Sequence, residues 1–396
     1  ARPTFVHSHS FIATSIMLGF FKKKSHESLP GLLTTKAAQK GIKPNFYPAQ
    51  VLDVRRETED CVSVSFAVPD ASIFSFVPGQ YLTLKTSIDG QEVRRSYSLC
   101  SSPLSGELRV AIKQVESGLF STWANTQLAT GDRLEMMPPM GQFHLEVAEE
   151  DQQTYVGFAA GSGITPVMAI LKTLLARAPQ SKFILFYGNR KSQTIIFKSE
   201  LEDLKDRYLG RLEVHHVLSR EDQGSDALFG RLDADRIRYF AEHIPTVTKA
   251  DGYYLCGPEP MIHAASDVLK AAGVAPEKIH FELFTAGAAP AAAAKATADK
   301  GSATGDAYVT VVLDGEETHF TQSSKEFVLD AALDAGADVP YACKGAVCCT
   351  CRAKVLEGKV EMAMNYSLTD DEVADGYVLT CQAMPRSERV VVSYDA

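Results

Sequence analysis

No apolar run in the sequence is long enough to cross a membrane. The nearest candidate, residues 11–21, is short, and a cluster of three lysines follows it. A secretory signal carries its positive charge before the apolar run and a small-residue cleavage site after it. We therefore recognise no export signal and expect a cytoplasmic protein that does not bind a membrane.

The sequence also lacks the patterns of several other protein classes. No G-x-S-x-G motif is present, which argues against a serine hydrolase of that type, and the ten histidines lie in no metal-ligand spacing. Four of the eight cysteines are scattered, and without an export signal they do not suggest a disulfide framework. No internal repeat is visible. A chain of 396 residues is too long for one compact core, so we expect two or three separate domains.

Charge is distributed unevenly along the chain. Residues 1–52 carry seven Lys and Arg against one acid, whereas residues 307–396 carry fifteen Asp and Glu against seven Lys and Arg. A basic leader can be a targeting segment or a nucleic-acid arm, but a disordered extension or a misplaced start is the simpler interpretation of residues 1–45. The acidic end argues against nucleic-acid binding and suits docking on a basic protein partner.

Successive patterns predict a multidomain protein of the classes β, α/β and α+β. Residues 46–150 alternate apolar and polar side chains between turn signals, which predicts an antiparallel β-barrel or sandwich with one helix near 118–128, and we expect the barrel. Residues 151–284 alternate buried strands with amphipathic helices, which predicts an α/β domain with a parallel sheet.

The rest of the chain predicts a third domain on a tether. Residues 285–306 are rich in Ala, Gly, Ser and Thr and have almost nothing to bury, so a flexible linker is expected. Such a linker would span on the order of 25 Å and would tether the last domain without fixing its position. Residues 307–396 indicate several strands and one short helix around a cysteine loop.

The cysteine loop, CKGAVCCTC at residues 343–351, is the most specific motif in the chain. Three of its cysteines have the spacing C-x4-C-x2-C, and a fourth follows with 29 residues in between, which is the plant-type [2Fe–2S] pattern. The predicted ligands are Cys343, Cys348, Cys351 and Cys381. A structural zinc site is disfavoured because only one short Cys-x-x-Cys pair exists. Gly345 helps the loop to wrap closely, and Cys349 is expected to be a packed thiol.

Two motifs in the first domain predict a flavin site. In RRSYS, Arg95 can pair with a phosphate, Tyr97 can offer a flat face to the isoalloxazine ring, and Ser98 can hydrogen-bond its redox-active edge. Residues 118–121 open the one predicted helix, where free amides form a cradle for a pyrophosphate. Tyr97 alone would equally suit the core, and only the two motifs together favour a flavin.

The segment GSGITP of the second domain joins its first strand to its first helix. Gly161 and Gly163 let the backbone turn and approach a ligand, Thr165 is expected to cap the helix, and Pro166 suits its first turn. The segment is not a G-x-G-x-x-G dinucleotide motif, because Pro166 replaces the third glycine.

Later strands of the second domain end in polar residues. Arg190, Ser219 and Arg220 follow two successive strands, where the 2′-phosphate of an adenosine could bind, so NADPH is expected rather than NADH. Cys256 and Gly257 end a further strand at the same ligand-binding edge of the sheet.

Taken together, these motifs resemble the ferredoxin–NADP reductase superfamily over residues 46–284, and residues 307–396 resemble the β-grasp-like plant-type ferredoxins. The order flavin, nicotinamide, ferredoxin resembles that of the reductase components of bacterial oxygenases. The cysteine loop and its flanks look much like the family of reductase subunits that serve phenylacetyl-CoA ring 1,2-epoxidases. Residues 1–45 have no counterpart that we recognise.

The resemblance implies the cofactor-binding residues. FAD would be held by Arg95, Tyr97, Ser98, Gly118, Phe120 and Ser121. NADPH would be bound by Gly161, Thr165, Arg190, Ser219, Arg220, Cys256 and Gly257. The predicted cofactor-binding set also includes Lys113, Gly163 and Pro166. Two residues near the end of the second domain would reach the flavin, namely Glu282 and Phe284. Because the chain continues past Phe284, it has no terminal aromatic residue to close over the flavin.

The implied activity is an electron relay that needs no catalytic acid or base. Hydride would pass from NADPH to FAD, and single electrons would pass from FAD to the [2Fe–2S] cluster. The resemblance implies that the acceptor is the di-iron component of an oxygenase that epoxidises phenylacetyl-CoA. Two alternatives remain: a reductase for another acceptor, such as a Rieske or other non-haem oxygenase or the hybrid-cluster protein, and a redox-sensing module with slow NADPH turnover.

Overall fold

The computed structural model describes residues 31–284 and 306–396 of the chain. Residues 1–30 of the predicted extension and residues 285–305 of the predicted linker lie outside these described residues. No helix within the two described ranges is long and apolar enough to cross a membrane. The predicted fold class is confirmed, because an antiparallel sheet, a parallel sheet and a mixed sheet follow one another along the chain.

A six-stranded antiparallel sheet with the order β4-β3-β6-β1-β2-β5 forms the first domain. Its strands are β1 (Tyr47–Thr58), β2 (Cys61–Phe66), β3 (Tyr81–Ile88), β4 (Gln91–Ser98), β5 (Leu108–Lys113) and β6 (Arg133–Met136), and its helices are α1 (Ala71–Phe74) and α2 (Leu119–Thr126). A bridge between Leu99 and Val110 links the end of β4 to β5, so the sheet closes on itself as a barrel does. Val64 lies opposite Val110 in the core, as the period-two pattern predicts.

A five-stranded parallel sheet with the order β11-β10-β7-β8-β9 forms the second domain. Its strands are β7 (Thr154–Ala160), β8 (Lys182–Asn189), β9 (Leu212–Leu218), β10 (Gly252–Gly257) and β11 (Ile279–Leu283). The helices α3 (Ile164–Arg177) and α4 (Lys198–Arg207) pack on one face, and α5 (Ala234–His243) and α6 (Glu259–Ala271) pack on the other. The strand order reverses at β7, where β8 and β10 lie on either side, and ligands bind at such a point.

A mixed sheet with the order β13-β12-β18-β14-β16 forms the third domain. Its strands are β12 (Asp306–Leu313), β13 (Glu316–Ser323), β14 (Arg352–Glu357), β16 (Tyr377–Leu379) and β18 (Arg389–Ser393), while β15 (Val360–Met362) pairs with β17 (Ala383–Pro385). Helix α7 (Val328–Asp334) packs on the sheet, and α8 (Asp370–Ala374) is a single exposed turn. The cysteine loop lies between α7 and β14, at one end of the sheet.

Residues 31–45 differ from the disordered extension that the sequence predicted. Leu32 is buried in the core of the barrel, and its amide donates a hydrogen bond of 2.7 Å to the carbonyl of Pro103. The side chain of Gln39 donates to Gln80, with 2.9 Å between Nε2 and Oε1. Lys43 forms an ion pair with Asp314 of the third domain. The segment is ordered because it buries an apolar side chain and finds partners for its polar groups.

Candidate functional site

The end of β4 carries the residues predicted to hold the flavin. Arg95 is half-buried, and its Nη1 donates a hydrogen bond of 2.7 Å to the carbonyl of Arg94, which leaves further guanidinium N–H groups for a phosphate. The ring of Tyr97 is half-buried and lies 5.5 Å, between centroids, from the ring of Phe120. Phe120 itself is fully buried, so it supports the Tyr97 ring from the core side.

Ser98 and Glu282 bring the first two domains together. Oγ of Ser98 donates a hydrogen bond of 3.1 Å to Oε2 of Glu282 in β11. Burial of this carboxyl raises its pKa to about 8, an effect that the hydrogen bond from Ser98 partly offsets. Glu282 also pairs in register with Cys256 of β10, so three predicted cofactor residues meet at one point.

The start of α2 forms a tight turn that exposes backbone amides. Ser121 Oγ donates to the carbonyl of Gly118 and accepts from the amide of Val115, at 3.2 Å in each case, so the hydroxyl braces the turn. A Cβ at Gly118 would lie 2.4 Å from Ser121 Oγ and would displace that hydroxyl from the turn. Nζ of Lys113, at the end of β5, lies 3.3 Å from Oδ2 of Asp60.

The turn between β7 and α3 passes closely over the end of β10. A Cβ at Gly163 would lie 2.1 Å from the carbonyl oxygen of Cys256, so the backbones approach more closely than any other residue allows. Gly161 has a φ of +55° and open space where a Cβ would stand, which leaves room for a ligand. Pro166 lies in the first turn of α3, as predicted.

Thr165 does not cap α3, contrary to the prediction. The helix begins one residue earlier, at Ile164, with Gly163 as its cap residue and no side-chain cap. Oγ1 of Thr165 donates instead to the carbonyl of Ser162, at 3.0 Å, and the side chain is buried. A three-residue helical turn at 161–163 directly precedes α3, so Thr165 lies inside the helix and not at its cap position.

Arg190, Ser219 and Arg220 lie side by side beyond the ends of β8 and β9. The amide of Arg220 donates a hydrogen bond of 2.9 Å to the carbonyl of Arg190, and both side chains are exposed. Sequence reasoning missed Phe229, which forms a parallel bridge with Leu218 and is 43% exposed. The signal in the sequence was an aromatic residue directly before a glycine, in the segment Phe229-Gly230-Arg231. No strand pattern in the sequence predicts the bridge to Leu218.

Cys256 and Gly257 close the same edge of the sheet. Cys256 is fully buried, and this burial raises the pKa of its thiol well above the ordinary value. A Cβ at Gly257 would lie 2.7 Å from Cε of Met261, so the backbone packs tightly at the start of α6. Phe284 follows β11 and is 38% exposed, at the end of the first described range.

The four predicted cluster ligands lie in two pairs. Cys343 and Cys348 form one pair, in which the thiols hydrogen-bond each other, and Cys351 and Cys381 form the second in the same way. The second pair is brought together by β14 and β16, since the amide and the hydroxyl of Thr380 both donate to the carbonyl of Cys351.

The loop backbone turns its amides towards sulfur. The amide of Gly345 lies 3.2 Å from Sγ of Cys343, and the amide of Cys343 lies 3.5 Å from Sγ of Cys348. The hydrogen bond from the thiol of Cys348, supported by the loop amides, lowers the pKa of Cys343 against the effect of burial, which favours the thiolate form. Lys344 and Ala346 adopt left-handed backbone conformations on either side of Gly345, and such alternation forms an anion-binding nest.

Cys349 is directed away from the two pairs. Its thiol donates a hydrogen bond of 3.4 Å to the carbonyl of Ser367, and burial raises its pKa to about 12. Within the described residues no group of three or more His, Cys, Asp or Glu side chains is arranged around a single metal position. Two pairs of thiols are instead what two irons in one cluster require, so the residues fit a [2Fe–2S] cluster.

The cysteine loop packs against the other two domains, whereas the sequence predicted only that a flexible linker connects the third domain to them. Tyr81 of β3 packs with Ala342 and Cys348, and its hydroxyl lies 3.4 Å from Oγ1 of Thr350. Val347 packs against the core of the second domain. The loop therefore lies beside the strands that carry the predicted flavin residues.

Comparison with known families accounts for most of the chain. Residues 48–145 match the oxidoreductase FAD-binding domain, residues 158–267 match the oxidoreductase NAD-binding domain, and residues 311–386 match the 2Fe-2S iron-sulfur cluster binding domain. The chain thus contains domains for all three predicted cofactor types, in the predicted order.

Similar proteins match this chain over nearly the whole of their own length. The chain is 44% identical to one of the subunits of 1,2-phenylacetyl-CoA epoxidase of Escherichia coli (strain K12), over 89% of this chain and 98% of that one. It is 35% identical to the ferredoxin reductase component of 3-ketosteroid-9-alpha-monooxygenase of Rhodococcus rhodochrous, over 86% and 95% of the two chains. The fold resembles that of phthalate dioxygenase reductase, with a TM-score of 0.54, 24% identity and coverage of 88% of this chain and 98% of that one. The chain belongs to the ferredoxin–NADP reductase superfamily, in the group that carries a C-terminal [2Fe–2S] ferredoxin domain, and it is a flavin and iron–sulfur oxidoreductase.

Proposed function

We propose that the chain is the NADPH-dependent reductase of a multicomponent oxygenase, and that its acceptor is the di-iron component of a phenylacetyl-CoA 1,2-epoxidase. The observation that carries this proposal is the 44% identity to the Escherichia coli epoxidase polypeptide, which extends over 354 residues and through all three domains. Proteins of one fold serve many acceptors, so identity along the full chain carries more weight than the fold.

The chain's residues bind and orient the cofactors. Bound FAD would accept hydride and deliver single electrons, and a bound [2Fe–2S] cluster would carry these onward. Arg190 and Arg220 present two exposed guanidinium groups that suit the 2′-phosphate of NADPH. Gly161 leaves open space over the turn before α3, where the dinucleotide would approach the backbone. The two cysteine pairs would supply two thiolates to each iron.

Ser98 and Glu282 would set the environment of the flavin edge. The pKa of about 8 keeps the Glu282 carboxyl mostly protonated at neutral pH, so it would present little negative charge to a flavin bound beside Ser98. The hydrogen bond from Ser98 fixes the orientation of that carboxyl. Ser98 and Cys256 are both buried beside this carboxyl.

A second acceptor class is favoured by a separate observation. The 35% identity to the ketosteroid monooxygenase component also covers nearly the whole of that relative, so a different oxygenase is the alternative acceptor. The fifteen acidic residues of positions 307–396 suit a basic docking surface on either acceptor and do not distinguish them.

The first experiment is an anaerobic titration of the purified protein with NADPH, in which flavin absorbance and the EPR signal of a reduced cluster are followed together. Reduction of both supports the relay, whereas reduction of the flavin without a cluster signal contradicts it. The second experiment supplies purified di-iron epoxidase with phenylacetyl-CoA, or ketosteroid oxygenase with its steroid, and measures product formed per NADPH. Product in the first mixture alone supports the proposed acceptor.

A further inference from the structure

Arg94 and Arg95 are neighbours in β4, and their side chains therefore leave opposite faces of the strand. Arg95 is the residue proposed to bind a flavin phosphate. Arg94 is only 7% exposed and contacts the third domain. We propose that Arg94 is a positioning residue that holds the cysteine loop against the flavin-binding strand and thereby sets the rate of electron transfer from flavin to cluster. This inference rests on the relay in the proposed function.

The guanidinium of Arg94 makes a polar and an aromatic contact across the domain boundary. Its Nη2 donates a hydrogen bond of 3.3 Å to Oδ1 of Asp338, and its Cζ lies 4.4 Å from the ring centroid of Tyr341. Tyr341 lies two residues before Cys343 in the chain, so this contact acts on the first predicted cluster ligand. A planar guanidinium can stack on a ring and pair with a carboxylate at once, which a lysine cannot do.

On its own side of the boundary, Arg94 is held in place. Its Nε donates a hydrogen bond of 2.8 Å to Oε1 of Glu92, and its Cζ lies 5.0 Å from the ring centroid of Phe46. Phe46 comes directly after residues 31–45, whose Lys43 pairs with Asp314 of the third domain. The guanidinium is therefore oriented before the third domain docks, which lowers the entropy that docking costs.

A second contact determines which part of the loop faces the flavin strand. Tyr81, which packs on Cys348, lies directly opposite Ser98 in the pairing of β3 with β4. Hydroxyl groups also meet there, since Oγ1 of Thr83 lies 3.5 Å from Oγ1 of Thr350. The docked loop therefore packs on β3, the strand next to Ser98, which is the residue proposed to contact the flavin edge. Arg94 of β4 anchors a second point of the same domain boundary.

The test uses the full-length protein with both cofactors bound. Three variants remove parts of the contact, namely Arg94→Gln, Asp338→Asn and Tyr341→Leu. Asp334→Asn is the matched control, because it removes the same charge from an exposed site in the same domain, and Asp334 forms no ion pair or side-chain hydrogen bond within the described residues. Anaerobic rapid mixing with NADPH then gives separate rates for flavin reduction and for cluster reduction.

We expect the rate of flavin reduction to stay within twofold of wild type in all four variants, as should the reduction of ferricyanide directly by the flavin. Cluster reduction should slow about tenfold in Arg94→Gln, which corresponds to about 1.4 kcal/mol of lost docking, and about two- to threefold in Asp338→Asn, because that carboxylate is 88% exposed. Raised ionic strength should slow cluster reduction in wild type more than in Asp338→Asn.

The outcomes separate this inference from the proposed function. If NADPH fails to reduce the cluster of the wild-type protein, the relay fails and the inference fails with it. If the wild-type relay runs and both Asp338→Asn and Tyr341→Leu match Asp334→Asn in cluster reduction, the positioning role is overturned while the relay stands. These two variants also decide the matter if Arg94→Gln does not fold. Slowing of the flavin and cluster steps together would assign Arg94 to flavin binding instead.

Discussion

Ser98 and Glu282 are 184 residues apart in the chain, yet Oγ of one lies 3.1 Å from Oε2 of the other. This hydrogen bond joins β4 of the barrel, which carries the proposed flavin residues, to β11, the last strand of the NAD-binding domain. In the proposed relay the nicotinamide and the flavin meet where these two domains meet, so we expect the environment of the Glu282 carboxyl to affect hydride transfer.

The rate of flavin reduction by NADPH should fall as the pH rises through about 8. The pKa of Glu282 is raised to about 8, so the carboxyl is neutral below that pH and becomes negatively charged above it. A negative charge at this position opposes the negative charge that hydride brings. Rapid-mixing rates across pH should show the fall in wild type and in the exposed control Glu277→Gln, but not in Glu282→Gln.

Ser98→Ala should move the same midpoint to higher pH. The hydrogen bond from Ser98 lowers the pKa of Glu282, so its loss leaves the burial effect unopposed. The measurement is again the pH profile of flavin reduction. A midpoint that moves to lower pH would show that Ser98 does not stabilise the charged carboxyl.

Gly163→Ala should impair both folding and nicotinamide binding. Its Cβ would lie 2.1 Å from the carbonyl oxygen of Cys256, and neither backbone can move away cheaply. Gly161→Ala is the paired control, because its Cβ meets open space and only the left-handed φ costs about 1–2 kcal/mol. Thermal unfolding should separate the two, and Gly161→Ala should raise the KM for NADPH while the protein stays folded.

The cysteine variants should differ sharply in iron content. Cys381→Ser should lose the cluster and keep flavin and NADPH-driven dye reduction, because it breaks one of the two thiol pairs. Cys349→Ser should keep both cofactors, because the Cys349 thiol is bonded to the carbonyl of Ser367. Iron analysis and EPR of the reduced proteins test this. Loss of the cluster in Cys349→Ser would contradict the ligand assignment.

Arg190→Ala and Arg220→Ala should raise the KM for NADPH far more than the KM for NADH. The two arginines lie side by side, through the backbone hydrogen bond from Arg220 to Arg190, and only NADPH carries the 2′-phosphate. Steady-state dye reduction with each nucleotide measures the effect. Equal increases for both nucleotides would remove the argument for a phosphate site.

Leu32→Ala should lower the free energy of unfolding by about 2–5 kcal/mol, as for other buried leucines. Leu32 is 2% exposed in the core of the barrel, although the sequence predicted a disordered extension there. Lys40→Ala, at an exposed position of the same segment, should change stability little. Urea unfolding followed by flavin fluorescence compares the variants.

Local features of the sequence predicted much of this protein. The spacing of Cys343, Cys348, Cys351 and Cys381 restricts the cluster type, because four thiolates at those intervals suit two irons held by one loop and one strand end. The alternation of residues in β2 and β5 indicated the barrel, since side chains alternate between the two faces of a strand. Thr165 was assigned wrongly as a cap because one extra helical turn before α3 leaves no clear signal in the sequence.

How the three domains meet is visible only in the folded chain. The contacts of Ser98 with Glu282, of Arg94 with Asp338 and of Tyr81 with Thr350 join residues that belong to different local patterns. No periodicity or spacing relates such residues, because their proximity depends on how whole domains pack. The motifs of the sequence therefore identify the cofactor types, whereas the residues that meet at the domain boundaries follow only from the packing of the domains.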